Sequence, residues 1–100
     1  MENNNSVQFD SAAENEPQIK LGGSLTFSNA SELWSQTSDF FRQFQGSRLV
    51  IDGSGVESFD SSGPAYLIWT GNRCRRMEIE LELTGFSDPL LQQVEAMRPD

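Results

Sequence analysis

The stretch that decides the fold runs from Arg48 to Trp69, "RLVIDGSGVESFDSSGPAYLIW". Its first five residues are a short aliphatic run closed by an acid, the pattern of a strand covered on both faces, as parallel strands in α/β proteins are. "GSGVESF" then reads as a loop, and "DSSGP" as the start of a helix. Ser and Asp supply side-chain oxygens to the orphan N–H groups of a first turn, and Pro is tolerated there. Ser61 or Ser62 is therefore the expected cap of a helix that begins near Ser62. That helix carries the apolar "AYLIW" and closes on Arg73, Arg75 and Arg76, which suit a helix C-terminus. A solvated helix end accounts for these arginines; a docking patch is the alternative.

Working outward, "MEIELEL" alternates Ile79, Leu81 and Leu83 against Glu78, Glu80 and Glu82, a strand with one wet face. Asp88 and Pro89 open a last helix, with Leu90, Leu91, Val94 and Met97 on its inner side. Upstream, Leu33, Trp34, Thr37, Phe40, Phe41 and Phe44 stand on one face of a helix. Asn29 and Glu32 make its capping box and Gly46 its end. "QIKLGGSLTF" predicts a strand with a bulge or bend at Gly22-Gly23, and "SVQFD" another strand. "SAAENEP" reads as a turn or loose connection, and residues 1–5 as disordered, leaving residues 6–98 as a single domain. A buried strand, a crossover helix and another strand imply a right-handed β-α-β unit, so helices cover at least one face of a mixed sheet.

Composition narrows the chemistry. The net charge of −8 and pI near 4.3 repel phosphate backbones and anionic lipid heads, so nucleic acid is not an expected partner. The longest unbroken apolar stretch, Ala65 to Trp69, is far too short to cross a bilayer, and the first residues lack a positive start followed by an apolar run, so the expected location is cytoplasmic. The chain has no His, which removes every Ser-His-Asp or Cys-His arrangement. The single Cys, Cys74 in "RCRR", reads as a half-buried structural thiol whose pKa the neighbouring arginines could lower. Asp52, Asp60 and the serines could in principle hold Mg²⁺ with a phosphate, but no glycine-rich cradle or lysine accompanies them, and capping accounts for the same residues. No enzyme, metal or cofactor is expected.

With these elements in order, the chain resembles the STAS family, the domains of anti-sigma factor antagonists and of some membrane transporters. "IKLGGSLTFSNASELW" resembles the family's first strands and helix start, "VIDGSGVESFDSSG" its central strand and signature loop, and "ELTGFSDPLLQQV" its last strand and helix. The resemblance implies an α/β STAS fold, a mixed sheet of about four to five strands covered by about three to four helices. It also implies a non-catalytic regulatory domain that binds protein through Ser54, Asp60, Ser61, Ser62, Gly63 and Pro64. In anti-sigma factor antagonists the second serine of D-S-S-G is phosphorylated by an anti-sigma factor kinase, and that position here is Ser62. Pro64 stands where antagonists usually carry a small aliphatic residue. "ASELW", "DSSGPAYLIW" and "GFSDPLLQQV" look more like the STAS domain of Mla-type lipid ABC transporters. The implied partner is thus an ABC transporter ATPase or permease at the cytoplasmic face of the inner membrane, or alternatively an anti-sigma factor kinase, with no direct membrane insertion of this segment.

Overall fold

The computed structural model describes residues 6–12 and 17–97, so the disorder expected for residues 1–5 and most of the "SAAENEP" connection lie outside the described residues. Seven elements follow one another: β1 (Val7–Ala12), β2 (Gln18–Leu25), α1 (Phe27–Gln43), β3 (Arg48–Phe59), α2 (Ser62–Arg76), β4 (Glu80–Thr84) and α3 (Asp88–Met97). The strands form one sheet in the order β1-β2-β3-β4, with β1 antiparallel to β2 and the other two pairings parallel. Two parallel steps in the same direction, each closed by a right-handed crossover, place α1 and α2 on the same face. There α1 lies against β1, β2 and α2, while α2 lies against β4 and α3.

The layering corrects one expectation. "RLVID" was expected to be covered on both sides, yet only Leu49 and Ile51 are fully buried, while Val50 and Asp52 are half-buried. The other face of the sheet carries Lys20, Glu80 and Glu82, all exposed, and Val50 is merely shielded by its ladder neighbours Gln18 and Glu82. A second correction concerns "GSGVESF", which is strand rather than loop. β3 continues to Phe59 because β2 continues beside it, pairing Gly22 with Gly55, Ser24 with Ser58 and Leu25 with Phe59. The expected bulge is present: the register shifts on either side of Gly22-Gly23, and Gly23 has φ +77, a conformation L side chains avoid.

The helices also begin and end differently from the local signals. α1 starts at Phe27, two residues before the expected capping box, and the Asn29 side chain instead donates to the Ser24 carbonyl at 2.9 Å. It ends at Gln43, after which Phe44 turns into the core and stacks on Phe40 at 5.1 Å; Gly46 lies beyond the helix. In α3 the Ser87 hydroxyl receives the Leu90 N–H at 3.4 Å, and Met97, expected on the inner side, is exposed while Leu90 and Val94 are buried. "MEI" belongs to the turn after α2, with Ile79 N–H donating to the Cys74 carbonyl at 2.8 Å, but Ile79 still points inward as the alternation requires.

The core lies between the sheet and the helices. Ile19, Leu21, Leu49 and Ile51 from the strands meet Leu33, Phe41, Leu67 and Leu90 from the helices. At its centre the fully buried Tyr66 hydroxyl bonds Thr37 Oγ1 at 2.8 Å. Since Thr37 already donates to the Leu33 carbonyl at 2.8 Å, its oxygen accepts from Tyr66 and both hydroxyls are satisfied. Trp34 meets the Tyr66 ring edge-on at 5.3 Å and Trp69 at 5.8 Å, and the Arg73 guanidinium lies 5.3 Å from the Phe41 ring centroid. Cys74 is fully buried, and burial pushes its thiol up to about 11 against the lowering pull of Arg73, so the arginines do not activate it. Gly53 faces the ring of Phe86 so closely that a Cβ there would collide with it.

Two predictions follow from this packing. Gly53→Ala displaces Phe86 and destabilises the fold by about 1–3 kcal/mol in urea denaturation, the usual cost of overpacking. The single tyrosine makes the second directly readable: burial pushes Tyr66 up to about 12, so its ultraviolet ionisation in the folded protein occurs well above that in urea. Because the folded value is the raised one, the unfolded chain releases this proton first and stability falls as pH rises from about 10 to about 12.

Candidate functional site

The D-S-S-G segment occupies the corner where β3 ends and α2 begins. Pairing of Phe59 with Leu25 brings Asp60 alongside the end of β2, and the Asp60 N–H donates to the Leu25 carbonyl at 3.2 Å. The first residues of α1 follow immediately, so the Asp60 side chain stands between two helix starts. Its Oδ2 accepts the Phe27 N–H of α1 at 3.0 Å, and its Oδ1 accepts the Ser62 N–H of α2 at 2.8 Å. One carboxylate therefore caps both helices. The Phe27 N–H, then the Ser62 N–H, hold its pKa below the ordinary carboxylate range; slight burial pulls the other way, and the Ser62 hydroxyl adds a further bond.

This corrects the capping assignment. Ser61 occupies the N-cap position of α2 but makes no side-chain cap bond, and neither serine hydroxyl caps the helix. The reason is geometric: Asp60 is already placed by the sheet within reach of the amide, and an ionised carboxylate is the stronger acceptor. Ser61 and Asp60 are exposed, and Ser62 is half-buried. Gly63 and Pro64 are buried, with Gly63 packed beside Phe59 and Leu25, so they support the corner from below rather than face outward.

Ser54 is not part of this corner. It precedes Asp60 by six residues along β3, roughly 20 Å of extended chain, and its N–H donates to Asp52 Oδ1 at 2.9 Å. Asp52 is held below its ordinary range chiefly by that N–H, with smaller help from Lys20. Both residues line an open cleft of about 240 Å³ on the uncovered face of the sheet, with Asp10 and Lys20. The two aspartates considered for Mg²⁺ thus belong to different surfaces, and among the described residues no three His, Cys, Asp or Glu side chains gather as metal ligands would.

One residue of the corner went unnoticed in the sequence. Phe27, expected at the end of a strand, is the first residue of α1 and is 81% exposed beside Asp60. Nothing local to "LTFSNA" signals this, because the partner of its N–H is 33 residues away.

Comparison with known proteins agrees with this architecture. A family model described as the Mlab STAS domain matches residues 9–100. Among solved structures, a serine-to-glutamate variant of Moorella thermoacetica RsbS superimposes with a TM-score of 0.71 at 19% identity, covering 94% of this chain and 79% of that one. The STAS domain of an antisigma-factor antagonist from Rhodobacter sphaeroides gives 0.54 at 22% identity, covering 79% and 86% respectively. At such identities the likeness concerns the fold. No curated protein matches the chain.

Asp60→Asn tests the double cap. An amide has one acceptor oxygen where the carboxylate uses two, so one cap is lost, a cost of about 0.5–2 kcal/mol. The pH dependence separates this from a general loss. The folded pKa of Asp60 is depressed, so its contribution is present above the ordinary carboxylate value near 3.8 and is lost as pH falls through the lower folded value. The variant should lose part of the acid slope in urea midpoints measured from pH 6 downwards, while Asp52→Asn removes a separate share.

Proposed function

The chain belongs to the STAS domain family, and from that premise we propose that it is a non-catalytic regulatory domain docking on an ABC transporter of the Mla lipid type, through the surface around Asp60, Ser61 and Ser62. The observation that carries this reading is the division of labour at the corner. Asp60 does the capping for both helices, so neither serine hydroxyl is spent on a helix amide: Ser61 is exposed, and the half-buried Ser62 hydroxyl bonds only the Asp60 carboxylate at the same surface. The transporter-like segments "ASELW" and "GFSDPLLQQV" and the Mlab description of the matching family support the choice of partner, an ATPase or permease subunit. The domain works at the cytoplasmic face of the inner membrane, and no described helix is long and apolar enough to cross it. Ser54, with Asp52, offers a separate polar surface on the open sheet face.

A second reading is favoured by Ser62 itself. Its half-exposed hydroxyl stands at the start of α2, where the helix dipole favours a phosphate and the Ser62 N–H, now held by Asp60, is the amide it would compete for. In this reading the domain is an anti-sigma factor antagonist, and an anti-sigma factor kinase adds the phosphate to Ser62. The added charge of about −1.5 to −2 changes the docking surface without refolding.

The readings part in one titration. Purified domain is measured against the ATPase subunit of the cognate transporter, with Ser62→Ala and Ser62→Asp in parallel. Ser62→Ala should bind within a few-fold of wild type. Ser62→Asp places an unpaired charge in the interface, costs about 2–5 kcal/mol and weakens binding by tens to thousands of times. If the wild type ignores the ATPase while Ser62 accepts phosphate from an anti-sigma factor kinase, the antagonist reading replaces the first.

A further inference from the structure

We propose that Phe27 is the apolar anchor of the docking surface, and that the partner presents a socket for one phenyl ring, rimmed by N–H or cationic donors. The proposal rests on the reading that the Asp60-Ser61-Ser62 corner binds protein, and it specifies what that protein must offer. At 81% exposure Phe27 shows water nearly all of its side chain, whereas the other exposed large apolar side chains among the described residues are Met77 at 39% and Met97 at 44%. Met77 and Met97 lie at the C-terminal ends of α2 and α3. Met77 is separated from Ser62 by the full length of α2, about 22 Å at 1.5 Å per residue. Phe27 is thus the one such side chain beside the serines.

Its backbone is not free to wander. The N–H of Phe27 is held by Asp60 at 3.0 Å, and the Asn29 N–H closes the first turn on the Thr26 carbonyl at 2.9 Å. A fixed aromatic loses little conformational freedom on binding, since two side-chain torsions remain to be set. The surroundings are polar: the Thr26 and Ser28 hydroxyls, which flank Phe27 in the chain, lie 3.3 Å apart, and the Asp60 carboxylate holds the Phe27 N–H. A single large ring within a polar rim is the arrangement of a binding hot spot. Charge fixes the rest of the partner's chemistry. The exposed Asp60 carboxylate and the net charge of −8 call for donors or cations around the socket, while the hydroxyls accept or donate as required.

The test uses the intact chain with the cognate ATPase subunit and an anti-sigma factor kinase as the two baits, comparing wild type, Phe27→Ala, Phe27→Leu and Met97→Ala. Phe27→Ala should leave the thermal midpoint nearly unchanged, because the residue is 81% exposed, and weaken binding to whichever bait the wild type binds by about thirtyfold or more. Phe27→Leu should recover part of that affinity, and Met97→Ala none of the loss. Wild-type affinity in Phe27→Ala overturns the anchor and leaves the serine surface intact as a docking site. A wild type that binds neither bait overturns the docking reading and the anchor with it.

Discussion

The Asp60 carboxylate is the constraint on which the arrangement of this molecule turns. A carboxylate reached by two amide donors from two different helices fixes the distance between their starts, and those starts are the ends of the β2-α1 and β3-α2 connections. Its position is set in turn by the sheet. Without the long second half of β3, paired to β2 through the bulged glycines, Asp60 would not stand beside Leu25 and Phe27. A local feature of the ladder thereby becomes a feature of the surface 33 residues away.

The corner is rigid because the helices that leave it are also joined further down. Tyr66 and Thr37 share a buried hydrogen bond between α1 and α2, and Trp34 and Trp69 close over it. A buried hydroxyl pair is costly to separate, since each group would lose its partner away from water. The two helices therefore carry their N-termini as one body. The proposed recognition at Phe27, Ser61 and Ser62 would then require little reorganisation of the domain, the condition under which side-chain chemistry translates directly into affinity.

Much of the fold was legible because hydrophobic period is a local property. Ile79, Leu81 and Leu83 announce a strand, and Leu33, Thr37 and Phe41 fall inward as their helical spacing says. What the sequence hid depends on contacts distant along the chain. "GSGVESF" has neither apolar period nor strand propensity, and only its ladder with β2 makes it extended. Asn29 and Glu32 form a plausible cap in isolation, but a carboxylate from another strand places the helix start at Phe27. The same contact misdirected the reading of the site. Ser61 and Ser62 looked like caps because the residue that performs that task stands immediately before them. Gly63 and Pro64, which looked like surface, are needed beneath it.

The double cap also determines how a negative charge at Ser62 would act. The Ser62 hydroxyl already bonds the Asp60 carboxylate, so a phosphate there would bring two anions together where one now has all its partners. Either the phosphate takes the helix N–H groups or the carboxylate keeps them. If Asp60 yields at Ser62, it can remain with Phe27, and α1 keeps its cap while α2 is capped by phosphate. If Asp60 is driven off altogether, the N–H of Phe27 loses its acceptor and the exposed ring loses its fixed position. The first outcome changes only charge at the surface, and the second also loosens the anchor. The two bonds are of comparable length, 3.0 Å from the Phe27 N–H and 2.8 Å from the Ser62 N–H, and each uses its own carboxylate oxygen, so an exchange of caps at α2 is the outcome that leaves the position of Phe27 unchanged.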